Sequence, residues 1–204
     1  AEMLVTAGAN LDMQDNDGRT ALHWAARYNR LNVTRVLCGA GADLDVQDDK
    51  DGMTPLHMAC EISHTDIARV LCYSGADPDI RENEGRTPLH MACEIGDTRT
   101  VQVLLTAGAN VNKQNHEGQT PLHVASHKGN ARLVQMLLEA DADPDILDNR
   151  NRTALDLALS SMDEGHNSVV QYLVVSGALI PQDAPFLQGG SAEVQTDTDT
   201  LFLQ

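Results

Sequence analysis

The chain has 204 residues, of which 30 are acidic and 14 are basic, so its formal net charge is −16. A field of this sign repels phosphate backbones and anionic lipids, and the composition therefore argues against direct binding to nucleic acid or to a membrane surface. One Trp, three Tyr and two Phe are few rings for a single large core, which favours small, closely packed helices.

Secretion and membrane insertion are also disfavoured by the sequence. It contains no run of 18 or more apolar residues, and its first residues lack the basic-then-apolar pattern of a signal peptide. The cysteines are widely spaced, which indicates reduced thiols rather than a disulfide framework: Cys38, Cys60, Cys72 and Cys93. These features predict a cytoplasmic or nuclear location.

A short motif recurs along the chain at a nearly constant interval. It reads TALH at residues 20–23, TPLH at residues 54–57, 87–90 and 120–123, and TALD at residues 153–156. The intervals between the threonines are 34, 33, 33 and 33 residues. Self-similarity at such a period is the signature of a repeat protein whose neighbouring units stack.

Each unit carries the same local signals in chain order. Threonine is a favourable N-cap and proline suits the first helical turn, so a short helix is predicted to begin at each motif. Gly96 then allows a left-handed turn, and Asn29 and Ser63 stand in the same place. A second helix has apolar residues at helical spacing until Gly108 ends it. A polar stretch, such as residues 112–118, forms a hairpin-like loop before the next threonine.

The T-P-L-H-x-A pattern with its 33-residue period resembles the ankyrin repeat, and the resemblance covers about residues 1–180. It implies an all-α ankyrin-repeat solenoid of about five helix-turn-helix units with hairpin-like loops. After a truncated first unit, the units are expected to begin near residues 15, 48, 82, 115 and 148. The abrupt start predicts that this chain is a segment of a longer protein.

Residues 181–204 differ in composition from the repeats. They are acidic, contain no Lys or Arg, and have a composition typical of disorder. An apolar cluster, LFL, follows at residues 201–203. This tail is therefore a second candidate for a docking segment.

Two His-x-x-Cys pairs raise the question of a metal or nucleophile site: His57 with Cys60, and His90 with Cys93. Zinc would need both pairs to close on one ion, and adjacent units lie too far apart for that. A catalytic thiol would need an orienting group, an oxyanion hole and a pocket, which the sequence does not supply. Structural histidines that tie one unit to the next explain the repetition better. We therefore predict no enzyme activity, no catalytic residues, no cofactor and no metal.

The resemblance implies that a ligand contacts the hairpin tips and the exposed face of the first helices, which together line a concave surface. Transferred position by position, it predicts these partner-binding residues: Arg27, Tyr28, Asp49, Lys50, Met53, Glu61, Ile62, Arg81, Asn83, Arg86, Glu94, Ile95, His116, His127 and Lys128. Four of them, Tyr28, Met53, Ile62 and Ile95, are expected to form an exposed apolar patch.

These features predict a monomeric protein-interaction module that binds a peptide or protein segment and belongs to a larger scaffold or regulatory protein. An alternative is a segment of a larger enzyme or channel that recruits its substrate or partner. The resemblance also raises the possibility that the stack is itself a substrate, hydroxylated at Asn112.

Overall fold

The computed structural model describes residues 2–161 and 164–178, and this part of the chain contains eleven helices. In chain order they are α1 (Glu2–Thr6), α2 (Ala21–Arg27), α3 (Leu31–Gly39), α4 (Pro55–Glu61), α5 (Thr65–Tyr73), α6 (Pro88–Ile95), α7 (Thr98–Thr106), α8 (Pro121–His127), α9 (Ala131–Glu139), α10 (Ala154–Ser161) and α11 (Glu164–Val175). After the single helix α1, the remaining ten form five pairs, each with a shorter first helix and a longer second helix.

The pairs stack in one unbranched row. The first helices pack in the order α2, α4, α6, α8 and α10, and the second helices α3, α5, α7, α9 and α11 pack in the same order as another layer. Each first helix also packs against the second helix of its own unit. Among the residues that the structure describes, none lies in a strand. The predicted all-α solenoid of about five helix-turn-helix units is confirmed.

The core is a column of equivalent residues that runs through the stack. Leucine at the third motif position is at most 1% exposed in every unit: Leu22, Leu56, Leu89, Leu122 and Leu155. Burying one such side chain contributes roughly 1.5–3 kcal/mol. The residue three positions later is a buried alanine in all five units, which lets neighbouring first helices approach closely. Because each unit covers the next, no unit buries this surface alone.

The turns follow the residue types that the sequence provides. Gly96 has φ 85°, and Asn29 and Ser63 adopt the same left-handed conformation with φ 54° and 56°, as predicted. Gly108 ends its second helix with φ 85°, whereas Asp141 takes that place in the next unit with φ 62°. Asn and Asp tolerate this region because their short polar side chains bond locally.

Adjacent hairpin-like loops are joined at their tips by a ladder of backbone hydrogen bonds. The N–H of Asp49 donates to the carbonyl of Asp17 over 2.9 Å, and the same 2.9 Å bond recurs at three later junctions: Asn83 to Asp51, His116 to Glu84, and Asn149 to Glu117. Gly118 permits the last of these contacts, since a Cβ there would lie 2.7 Å from the backbone nitrogen of Asn149. The loops therefore form one continuous edge along the stack.

The last unit differs from the others in the length of its second helix. α11 has 12 residues, whereas α9 has nine. The sequence of this unit is about three residues longer than that of the other units around Met162 to Asn167, which predicts a longer first helix or a longer turn between its helices. Much of the added length instead lies in α11, which begins at Glu164. Residues 162–163 and the predicted tail at 181–204, including its apolar cluster, lie outside the described residues.

Candidate partner-binding surface

The motif histidines join each unit to the next. The N–H of Thr54 donates to Nδ1 of His57 over 3.2 Å, and Nε2 of His57 donates to the carbonyl of Arg86 over 3.2 Å. The other three histidines bond in the same way across their junctions: His23 to Met53, His90 to Gln119, and His123 to Arg152. Since Nδ1 accepts and Nε2 donates, each ring is neutral. The predicted structural role of these histidines is confirmed.

Burial reinforces that neutral state. It lowers the pKa of both His57 and His90 to about 4, because desolvation disfavours the charged imidazolium. Burial also lowers the pKa of His23 and His123. These side chains are occupied in the scaffold on both ring nitrogens.

The last unit, in which an aspartate replaces the motif histidine, indicates the role of that histidine. Asp156 stands where histidine stands in the other four units, and its Oδ2 accepts from the N–H of Thr153 over 2.7 Å. The Asp156 carboxylate therefore still caps the helix, but it cannot donate a hydrogen bond to a carbonyl of a following unit. Among the described residues no sixth hairpin follows this unit.

The exposed side of the first helices presents two columns of side chains, which we call the first-helix row. One column contains Arg27, Glu61, Glu94 and His127, and the next contains Tyr28, Ile62, Ile95 and Lys128. All eight residues are exposed, and the apolar ones are 58% (Tyr28), 37% (Ile62) and 54% (Ile95) exposed. Apolar side chains thus reach solvent in three successive units of the stack.

Five of the predicted site residues line one open cavity of about 390 Å³, which we call the central cavity: Glu61, Arg86, Glu94, Ile95 and Lys128. Met91 also lines it and was missed by sequence reasoning. It is only 4% exposed and follows the motif directly, so its position predicts a core residue. Met58, at the equivalent position of the preceding unit, is also buried, so the repeat pattern gives no indication that this position borders a cavity.

Ion pairs lie both within and between the units that border the central cavity. Arg86 lies 3.4 Å from Glu94 and also contacts Glu82 at 3.3 Å. Lys128 approaches Glu94 to 4.0 Å. Arg27 lies 4.0 Å from Glu61, and both side chains are nearly half exposed. Each glutamate of the row therefore already has a cation nearby, and exposed pairs of this kind are weak enough to exchange with a ligand.

Tyr28 belongs to a small cluster at the N-terminal end of the row. Its ring stacks on Trp24 with centroids 5.8 Å apart, and Arg19 lies 5.3 Å from the centre of the Trp24 ring. The Trp24 indole N–H donates to Asp15 over 2.9 Å. The cluster holds Tyr28 in a fixed position against the first unit.

Met53 was expected to be exposed, and that prediction is wrong. Its side chain is 7% exposed. Its N–H donates to Asp48 over 3.0 Å, and its carbonyl accepts from His23 over 3.0 Å. Met53, the residue before the motif threonine, is therefore held by hydrogen bonds against the preceding unit. It cannot contribute to an exposed apolar patch.

The hairpin residues of the predicted site lie outside the central cavity. Asp49, Lys50, Arg81, Asn83 and His116 are exposed. Several also serve the scaffold: Nε of Arg81 donates to the carbonyl of Gly85 over 3.0 Å, and Nδ2 of Asn83 donates to the carbonyl of Lys50 over 3.2 Å. The tips thus present polar side chains on a hydrogen-bonded edge beside the row.

The histidine and cysteine pairs do not form an open site. Cys60 and Cys93 are fully buried, and burial raises the pKa of both thiols. The nitrogens of His57 and His90 already bond to threonine and to the next unit. Within residues 2–161 and 164–178, no group of three or more His, Cys, Asp or Glu side chains is arranged to hold a metal ion.

Aspartate and asparagine side chains recur in the turns that follow the second helices. There Oδ1 of Asp45 accepts from the N–H of Asp77 over 3.1 Å, and burial raises the pKa of Asp45. Asn112 occupies the equivalent position two units later in the stack, and its Oδ1 accepts from the N–H of Asp143 over 2.9 Å. Bonds of this kind recur between successive turns and form a second ladder, distinct from the backbone bonds of the hairpin tips. In the described part of the chain, no helix has the length and apolarity that crossing a bilayer requires.

Comparison with known proteins gives a consistent assignment. The family model for ankyrin repeats in three copies matches residues 1–48, 40–115 and 89–183. The human neurogenic locus notch homolog protein 2 is 40% identical over 47 residues, which is 23% of this chain and 2% of that protein. The mouse protein of the same name matches to the same extent. The matched region is thus a very small part of these relatives.

Proposed function

The chain belongs to the ankyrin-repeat family, whose repeats are protein–protein interaction modules, and we propose that it binds a peptide or protein segment along the first-helix row. The observation that carries this proposal is the repeated Glu-Ile pair. Glu61 with Ile62 and Glu94 with Ile95 stand at equivalent surface positions of adjacent units. Beside the second pair lies the central cavity.

The physical division of labour in such a site follows from burial. Covering Ile95, Ile62 and Tyr28 removes apolar surface from water and supplies most of the affinity. Glu61 and Glu94 favour a ligand with an Arg or Lys, which would compete with Arg27 and Lys128 for the carboxylates. Such exchange between partly exposed charges contributes mainly to association rate and specificity. The hairpin residues Asp49, Lys50, Arg81, Asn83 and His116 would form the polar rim.

The wider biological setting is part of the same proposal. We infer a non-catalytic, monomeric module in the cytoplasm or nucleus, without cofactor, that serves a larger scaffold or regulatory protein. The alternative role, recruitment of a substrate or partner to an enzyme or channel in the same protein, uses the same surface.

Quantitative capture from cell lysate tests the site. Immobilised wild-type chain is compared with the double variant Ile62→Asp/Ile95→Asp and with Val175→Asp, which places one aspartate on a 78% exposed residue of α11. We expect the double variant to lose the proteins that wild type enriches and the control to keep them. Equal enrichment by all three chains would contradict the proposal.

A shortened chain separates the row from the tail. Removal of residues 185–204 deletes the apolar cluster at 201–203 and leaves the described repeats intact. Capture of the same proteins by the shortened chain supports the first-helix row. Loss of capture would place the binding segment in the tail.

A further inference from the structure

A second groove lies on the layer of second helices, away from the first-helix row. It has a volume of about 420 Å³ and is bordered by α5, α7 and α9. We call it the arginine groove, because Arg69, Arg99 and Arg132 line it, one from each of three successive units. None of the described residues that line it is acidic.

The charge of this groove is opposite to that of the chain as a whole. The three guanidinium groups are exposed, although the chain carries a net charge of −16. Arg69 has a single weak partner, Asp66, at 3.9 Å, and Arg132 donates to the amide oxygen of Gln135 over 3.0 Å. Among the described carboxylates, none forms an ion pair with Arg99 or Arg132. Two of these cations are therefore not neutralised within the stack.

The groove also has apolar walls. Val103 is half-buried, Met136 is 6% exposed, and both line the space between the arginines. Tyr73 stands at its edge and is 79% exposed, with no role in the core. An exposed aromatic side chain beside arginines is a frequent composition of protein interfaces.

The geometry points to a docking site for an acidic peptide segment of a partner protein, in which carboxylates flank a bulky apolar side chain. The apolar side chain would lie over Val103 and Met136 against Tyr73. The carboxylates would pair with Arg99 and Arg132, whose planar guanidinium groups suit bidentate contact. This surface is separate from the first-helix row and holds a ligand of the opposite charge.

Screening explains how an acidic segment can bind an acidic protein. At physiological ionic strength the Debye length is about 8 Å, so charges on the distant edges of the stack contribute little inside the groove. Helices in contact lie about 8–10 Å apart, which places Arg99 and Arg132 on adjacent helices within reach of one short segment. Local charge therefore decides which ligand is attracted.

The test uses a fluorescein-labelled synthetic peptide in which glutamates flank a leucine–phenylalanine pair, and fluorescence anisotropy with the full chain. We expect the double variant Arg99→Gln/Arg132→Gln to bind this peptide about tenfold more weakly than wild type. Tyr73→Ala should also weaken binding, since it removes the aromatic edge. Arg35→Gln is the control: it removes one positive charge from α3, one unit from Arg69 and outside the groove, and should change affinity by less than about twofold.

Peptide controls separate the groove from general attraction. A peptide with lysines in place of the glutamates should not bind, and one with alanines in place of the leucine–phenylalanine pair should bind more weakly. Ile95→Asp should leave the affinity unchanged, because the first-helix row is on another face. Melting curves that match wild type show that the exposed Arg variants remain folded.

Several results would overturn the inference. One is equal affinity of wild type and the Arg99/Arg132 double variant, and another is an equal loss with Arg35→Gln. A chain without residues 185–204 should bind the peptide as wild type does; binding about tenfold tighter would mean that the acidic tail occupies the groove instead of a partner. A dimer that the double variant converts to monomers would identify a second copy as the occupant.

Discussion

The two central units and the two units beside them present different surfaces on the same scaffold. α4 and α6 both contain the sequence PLHMACE, whereas α2 reads ALHWAAR and α8 reads PLHVASH. In all four helices the leucine and the histidine are buried. The exposed positions change from Arg-Tyr in the first of these units to Glu-Ile in the central two and His-Lys in the last.

This difference shows which residues serve the fold and which are free to serve a partner. The leucine column and the threonine–histidine junction recur because each unit must cap its helix and hold the next. The first-helix row carries no such constraint, and its central part concentrates isoleucine and glutamate while basic residues flank it. The repeated isoleucine on an exposed column is therefore our main reason to propose partner binding at this surface.

Breaking the scaffold shared by central and flanking units should have the largest effect. Gly118 has φ 77°, and an added Cβ would lie 2.5 Å from Oδ1 and 2.7 Å from the backbone nitrogen of Asn149. Gly118→Ala should lower the free energy of unfolding by roughly 3 kcal/mol, because strain and a backbone clash combine. Urea unfolding followed by circular dichroism measures this.

Gly108→Ala is the matched control for that change. Gly108 has φ 85°, but a Cβ there meets nothing within 4 Å. Its loss should be about 1–2 kcal/mol, from left-handed backbone strain alone. If both variants unfolded at the same urea concentration, the packing of the hairpin ladder would not be the cause.

The second-largest expected effect is destabilisation by acid of the junctions that His57 and His90 form. Burial holds the pKa of His57 and His90 at about 4, whereas histidine in an unfolded chain titrates near 6.5. As the pH falls from about 6.5 toward 4, the unfolded chain binds protons that the folded chain does not, so stability is lost over this window. We expect about 1–2 kcal/mol of loss per central histidine between pH 7 and pH 5, measured by urea unfolding at each pH.

A glutamine series sharpens the contrast between central and flanking junctions. Glutamine at the third helical position still caps the threonine N–H but cannot titrate. His57→Gln should flatten the dependence of stability on pH more than His123→Gln does, because the pKa of His57 is lowered further. Identical slopes for wild type and His57→Gln would assign the acid sensitivity to other groups.

Binding at the row should separate apolar from charged contributions. Ile95→Asp should weaken partner affinity by about tenfold or more, because the anchor is lost and a charge is desolvated. Glu94→Gln should weaken it by only about twofold to threefold, and this loss should shrink at high salt. Isothermal titration of the captured partner at two salt concentrations measures both; equal losses at both would argue against this division.

Sequence reasoning predicted those features that local physics determines. Thr87 as a cap, Leu89 in the core and Ser63 in a left-handed turn follow from residue type and repeat phase alone. Met53 was placed on the surface because its position in the loop says nothing about the preceding unit, whose His23 bonds to the Met53 carbonyl, while Asp48 of its own loop accepts from its N–H. The burial of Met53 therefore depends on packing between units.

Other features arise only when the units are stacked. The arginine groove joins Arg69 from one position of its helix with Arg99 and Arg132 from another, so no column of the repeat reveals it. Met91 lines the central cavity although only 4% of its surface is exposed, so the sequence pattern, which predicts a buried residue, does not reveal this contact. Such surfaces depend on the relative placement of side chains from different units, which periodicity does not specify.

The most direct test of the binding surface is methyl NMR of isoleucine. The chain has six isoleucines, and Ile67 is fully buried and therefore serves as an internal reference. When the captured partner is titrated into chain labelled at the isoleucine δ1 methyls, we expect large shifts or broadening for Ile62 and Ile95 and little change for Ile67. Saturable binding that leaves the signals of Ile62 and Ile95 unmoved would contradict it.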